Sequence, residues 1–185
     1  MPSRQMDIYQ LKITLQGSRP PIWRRIQVPS DISLYRLHKV IQTVMGWENC
    51  HLHKFIVGDS YYGEPDPYYG SKMGDEKKVR LSEVVLGEGH WFDYEYDFGD
   101  FWMHRILMEK TIQPEPSVRY PRVIKGKRAC PPEDVGGIWC YEEFLEVIRD
   151  PGRHEHRDIV DWVGDKFDPD EFDMDEINKR LMKIR

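Results

Sequence analysis

The chain has 185 residues with a formal net charge of −5 and a mean hydropathy of −0.68, yet it is 12% aromatic with six tryptophans. That length fits one domain that buries about 70% of its extended-chain surface, and the aromatic content excludes a disordered polymer. No apolar run is long enough to span a bilayer and Met1 to Met6 is polar rather than signal-like, so the expectation is a cytoplasmic protein without a membrane partner.

Tyr9, Leu11, Ile13 and Leu15 alternate with polar residues, the period of a half-buried strand over 9–16. A turn at Gly17–Pro21 leads to a second strand over 22–28, its expected hairpin partner. Ser33 then reads as the N-cap of a helix that Gly46 ends, with a buried stripe of Leu34, Leu37, His38, Ile41 and Met45. His38, inside that stripe, reads as a hydrogen-bonded core histidine. A third strand is expected over 52–57, followed by a long loop over 58–78 that has room for short strands. One helical turn follows near 82–86. Trp91–Phe98 and Phe101–Lys110 read as strands, with a short strand at Val123–Ile124 and a shaped loop at Pro131–Gly137. Helices are expected over 140–149, 157–163 and 175–183. The order implies an α+β fold: an antiparallel or mixed sheet with one inserted helix and C-terminal helices packed on it. Neither a repeat nor a linker divides residues 1–185, although 151–185 forms an acidic helical end with eleven acidic against seven basic residues between Asp150 and Arg185.

The segment from Trp91 to Lys110 concentrates ionisable groups. Phe98-Gly99-Asp100-Phe101 suits a two-residue type II′ turn with glycine at its first central position. That register opposes Phe98 to Phe101 and Glu95 to His104. It places Phe92, Tyr94, Tyr96, Met103, Arg105 and Leu107 on the core face, and Asp93, Glu95, Asp97, Trp102 and His104 on the other. Three carboxylates about one imidazole would favour the protonated ring or hold a divalent cation; a solvated strand face also carries such residues. His51 and His53, two apart on a strand, point to one side at a chelate spacing for zinc, and they join His104 as the metal-ligand candidates. His154 and His156 diverge by about 200° on a helix and do not form a pair.

Phosphate-binding and nucleophile-elbow motifs are missing: no P-loop, no G-x-G-x-x-G, no G-x-S-x-G. The three cysteines, Cys50, Cys130 and Cys140, form no even disulfide framework and read as reduced thiols. An acidic protein is a poor binder of generic nucleic acid, and the Arg24–Arg25 pair is too small a basic cluster to reverse that.

Five stretches in order resemble one known family: Pro20-Pro21-Ile22-Trp23-Arg24-Arg25; Leu37-His38 through Met45-Gly46-Trp47; His51-Leu52-His53-x-Phe55; Tyr96-Asp97-Phe98-Gly99-Asp100-x-Trp102-x-His104; and Pro131-Pro132-Glu133-Asp134-x-Gly136-Gly137. They follow the pattern of plasmid pRiA4b ORF-3-like proteins, from about Tyr9 to Asp173. The resemblance implies the fold termed MM3350-like, an α+β arrangement, and brings no established reaction. Relatives often carry a cysteine near the position of Val123, so any cysteine pairing or metal role there does not transfer. Some relatives are labelled as passengers of insertion elements or as resolvase-like. Neither a serine-recombinase nor a tyrosine-recombinase residue set can be assembled here.

These readings converge on a binding or interaction module for an unidentified protein or small ligand. Its surface is expected at the hairpin face and adjoining loops, with Trp23, Arg24, Glu95, Asp97, Asp100, Trp102, His104, Glu133 and Asp134 as candidates. The alternatives are a metal-dependent, hydrolase-like enzyme using His51, His53 or His104, and an accessory protein of a mobile genetic element.

Overall fold

The computed structural model describes residues 6–65, 73–164 and 167–184. Part of the expected 58–78 loop, residues 66–72, lies outside them. The first two strands, β1 (Ile8–Leu15) and β2 (Trp23–Pro29), form the expected hairpin with Thr14 opposite Trp23 and Ile8 opposite Pro29. Helix α1 (Leu34–Met45) begins where Ser33 accepts a hydrogen bond from the Arg36 amide at 3.2 Å. It stops at Gly46, whose φ of 105° few other residues adopt. Strand β3 (His53–Val57) is followed by β4 (Ser60–Gly63), β5 (Gly74–Asp75) and the single turn α2 (Leu81–Val84).

Strands β6 (Trp91–Tyr96), β7 (Trp102–Ile112) and β8 (Arg122–Lys127) complete a sheet of eight described strands in the order β5-β4-β3-β6-β7-β1-β2-β8. Only the β4–β5 pair is parallel among these, so the sheet is mixed. Helices α3 (Gly137–Arg149), α4 (His156–Val163) and α5 (Met174–Leu181) follow. Helix α3 starts three residues before the expected Cys140, because Gly136 and Gly137 turn the chain in the left-handed region. One apolar cluster joins the sheet to the helices: Leu11, Ile13, Ile26, Phe92 and Ile106 meet Leu37, Ile41 and Val44 of α1, and Phe144 of α3 and Leu181 of α5 extend it. No helix among the described residues is long and apolar enough to cross a membrane.

The β6–β7 register differs from the expected one by a residue. Tyr96 pairs with Trp102, Glu95 with Met103 and Tyr94 with His104. The connection is a five-residue loop in which Asp97 and Phe101 both have positive φ, 58° and 56°, and the Phe101 amide donates to the Asp97 carbonyl at 2.8 Å. Because side chains alternate along a strand, one residue of slip exchanges the two faces of β7. Trp102, His104, Ile106 and Met108 are buried beside Phe92, Tyr94 and Tyr96, while Arg105 is exposed.

Candidate functional site

The slip dissolves the expected acidic face around His104. His104 has no solvent exposure and sits opposite Tyr94, not Glu95. Its Nε2 accepts from the Trp47 indole N–H at 3.4 Å, so Nδ1 carries the proton and donates to the Tyr94 carbonyl at 3.3 Å. Burial lowers its pKa to about 4, which keeps the ring neutral. The carboxylates on the other face are already ion-paired. Asp93 receives both prongs of Arg105 at 3.1 and 3.2 Å, and Glu95 meets Lys54 at 2.7 Å. His104 and Trp102 are therefore core residues rather than recognition residues.

Arg24 is likewise internal. Its guanidinium donates to the carbonyls of Val44 (2.6 Å), Trp23 (2.9 Å) and Lys127 (2.9 Å) and lies 4.7 Å from the Phe172 ring centroid. It ties β2, α1, β8 and the C-terminal segment together. Trp23, on the opposite face, is covered by Lys12 and Arg25, and Arg25 is held by Glu109 at 2.6 and 2.7 Å.

The remaining candidates converge at the other end of the sheet. A cleft of about 700 Å³ opens between α1, the segment 49–53 and the chain around Glu76. His53, the first residue of β3, contacts Glu76 Oε2 through Nε2 at 2.8 Å, and both side chains are largely shielded. His38 lies flat on His53, with ring centroids 3.5 Å apart. Its two nitrogens are satisfied by the Tyr94 hydroxyl (2.8 Å) and Asn49 Oδ1 (2.7 Å). Asn49 Oδ1 can only accept, so His38 Nε2–H donates to it and Nδ1 accepts from Tyr94, a neutral tautomer. Burial, reinforced by the neighbouring His53, lowers the His38 pKa to about 3. His38 is thus the core histidine expected, and also the floor beneath His53.

His51 does not share a strand with His53, because β3 begins only at His53. It faces the hairpin loop and the 131–137 loop instead. Its Nε2 lies 3.0 Å from Asp134 Oδ1, 3.6 Å from Asp97 Oδ2 and 3.9 Å from Glu133 Oε2. None of these contacts is aligned as a hydrogen bond, and both His51 Nε2 and Glu133 Oε2 are shielded from solvent with no hydrogen-bond partner. Each of two carboxylates is anchored through its other oxygen. Glu133 Oε1 accepts from the Tyr96 hydroxyl at 3.0 Å and the Glu48 amide at 2.7 Å. Asp97 Oδ1 accepts from the Gly99 amide at 2.8 Å. Asp100 locks the two loops, its Oδ2 accepting from the Gly136 amide at 3.0 Å. Burial, and then its contact with Cys50, holds the Tyr96 hydroxyl well above the usual tyrosine range.

The sequence singles out His51, Asp97, Asp100, Glu133 and Asp134 one at a time and offers no means of grouping them. It does not mark Glu76, Asn49 or Tyr96 as site residues. Glu76 arrives beside His53 only through the parallel β4–β5 pairing, which no local pattern announces. Tyr96 reads as plain core, and its hydroxyl is the polar handle that a buried tyrosine must satisfy.

An eight-stranded mixed sheet with five helices among the described residues, and this cleft and cluster at one end, defines an α+β protein. The chain belongs to the plasmid pRiA4b ORF-3-like protein family, which matches residues 7–176. It is 39% identical over 177 residues to the uncharacterized protein y4hQ of Sinorhizobium fredii (strain NBRC 101917 / NGR234), covering 95% of this chain and 91% of that one. The crystal structure of MM3350 from Methanosarcina mazei Go1, a protein of unknown function, superposes with a TM-score of 0.83 at 41% identity, covering 92% of this chain and 97% of that one. The family and these relatives carry no assigned activity.

Proposed function

We propose that the protein is a ligand-binding module whose recognition site is the cleft walled by His53, Glu76 and Asn49, in place of the hairpin face around His104. The observation that carries this is the shielded His53–Glu76 pair, stacked on His38, in the wall of a 700 Å³ cleft. Cavities of a few hundred cubic ångströms with a few fixed polar groups suit small molecules. Here the polar groups are held rigidly: Tyr94 and Asn49 orient His38, and His38 and Glu76 orient His53. Tyr35, Phe98 and Lys77 line the same space, a mix of aromatic and charged groups that favours a small polar ligand. A role in handling generic DNA draws no support from the β2 arginines, since Arg24 is buried and Arg25 is neutralised by Glu109.

The test is a screen of polar heteroaromatic fragments by amide and imidazole NMR. Shift changes concentrated at residues 49–53, 76, 77 and 98, and lost in Glu76→Gln, are expected. Hits confined to the Trp23 face, or unaffected by Glu76→Gln, would refute the assignment.

A further inference from the structure

An imidazole and a carboxylate meet in the cleft wall in an arrangement suited to moving protons. We propose that His53 is a proton-transfer residue with Glu76 as its positioning partner, so that the cleft carries out acid–base chemistry on the small polar molecule it binds. The proposal rests on the cleft being a recognition site. The direction of the His53–Glu76 bond comes first. A carboxylate oxygen can only accept, so the 2.8 Å contact is Nε2–H donating to Glu76 Oε2. The ring keeps that proton whether it is neutral or charged, and Nδ1 is the position that gains or loses one. Among the described residues Nδ1 has no hydrogen-bond partner, and His53 lines the cleft. His38 and His104 differ, since each has both ring nitrogens occupied.

The second observation is how firmly the pair is placed. Glu76 is 1% exposed. Its amide donates to the Gly63 carbonyl at 3.2 Å, and its carbonyl accepts from the Tyr35 amide at 3.1 Å. Those bonds fix it between β4 and the first turn of α1. His38 covers one face of the His53 ring, with centroids 3.5 Å apart and planes 4° from parallel. A ring so fixed loses little freedom when a substrate arrives, and geometry set in advance lowers the barrier to reaction.

The third is charge. An O–H or N–H of the bound molecule, or of a water beside it, passes its proton to Nδ1 and keeps the bonding electron pair. The imidazolium so formed lies against the Glu76 carboxylate, which stays ionised and stabilises it without rearranging. Shielding of both side chains strengthens that attraction relative to open water. The proton later returns from Nδ1 to the product, so one residue serves first as base and then as acid. A carboxylate that fixes a histidine's tautomer and steadies its charged form has the supporting role of the aspartate in a Ser-His-Asp triad.

The experiment uses the full chain and two readouts that need no substrate. Long-range proton–nitrogen NMR reads the tautomer of each imidazole in the wild type, so it does not depend on any variant folding. Above about pH 8, where free imidazoles are neutral, His53 should carry its proton on Nε2 and none on Nδ1. Diethyl pyrocarbonate then probes reactivity. A bare imidazole nitrogen attacks its carbonyl carbon, the ring proton leaves with the departing ethyl carbonate, and ethanol and carbon dioxide are released. Mass spectrometry should find His53 labelled and His38 spared. Glu76→Gln should slow labelling of His53 about tenfold or more, because a lost carboxylate partner makes the ring less basic. Exposed His154 should label at the same rate in both proteins. A His53 protonated on Nδ1, a His53 the reagent does not reach, or equal labelling of His53 in Glu76→Gln overturns the proposal. Fragment binding that persists beside any of these results keeps the recognition site and removes only the acid–base role. The expected tautomer and labelling without fragment binding remove the recognition site, and the substrate with it.

Discussion

Removing the ionisable ring of His104 tests the hairpin register and the electrostatics that follow from it. In the folded chain its pKa is about 4, against 6.5 for the free side chain, because burial disfavours the charged ring. Between those values the unfolded chain binds the proton and the folded chain does not, so stability falls as pH drops from about 6.5 toward 4 and levels off below. For these two pKa values the loss at pH 4.5 is about 2–3 kcal/mol, since each tenfold difference in proton affinity between the two states is worth about 1.36 kcal/mol. His104→Gln is less stable throughout, since the Trp47 and Tyr94 contacts change, but it lacks this proton linkage. Urea unfolding at pH 7 and pH 4.5 therefore measures the difference. The wild type should lose about 2–3 kcal/mol more than the variant over that interval. His38, lowered to about 3 for the same main reason, contributes a similar loss to both proteins and cancels. Had Glu95 faced His104, the pKa would be raised and the difference reversed. A His104 resonance titrating above pH 6.5, or a variant that loses more stability than the wild type, refutes both the register and the reasoning.

Arg24→Met should destabilise the fold by about 3 kcal/mol in chemical denaturation, because three carbonyls lose their donor. Arg24→Lys should not restore it, since one ammonium cannot serve a forked set of acceptors. Gly137→Ala should cost about 2 kcal/mol or more by thermal unfolding, as its Cβ would stand 2.7 Å from the Asp100 carbonyl oxygen at a φ of 81°. Binding to generic duplex DNA should be at or weaker than about 10⁻⁴ to 10⁻⁶ M at physiological salt, measured by fluorescence anisotropy. Tight binding with a steep salt dependence would reverse that expectation.

Much of the fold is legible because it is written in local chemistry. Ser33 and Gly46 bound α1 as caps, and the alternation through Leu11, Ile13 and Leu15 marks β1. The order of strands and helices implies the α+β class. The β6–β7 register is not legible from the turn alone: Gly99-Asp100 suits a two-residue turn, and the competing five-residue loop depends on Asp97 and Phe101 both entering the left-handed region. A signal is nevertheless present. The two-residue register puts Arg105 on the core face, whereas the observed one buries Trp102, His104, Ile106 and Met108 and sends Arg105 to Asp93. Total burial overrides turn preference. The grouping of His51 with Asp97, Glu133 and Asp134 joins three separate loops, and pairing of that range leaves no trace in a single sequence.

The loop that shifts the register also turns Asp97 toward His51. In a two-residue turn Asp97 would lie in the ladder opposite Trp102. In the observed loop its backbone sits at φ 58°, its Oδ1 caps Gly99, and its Oδ2 turns to His51. Asp97→Asn separates these duties. Asparagine tolerates the left-handed region as well as aspartate does, and its carbonyl oxygen can take over the cap. Folding stability of the variant should therefore change by no more than about 1 kcal/mol, because the cap is kept while one buried carboxylate facing His51 becomes an amide. Proton contacts between Tyr94 and His104 across the ladder should persist. Loss of the Tyr94–His104 contacts would show instead that the negative charge of Asp97 sets the hairpin.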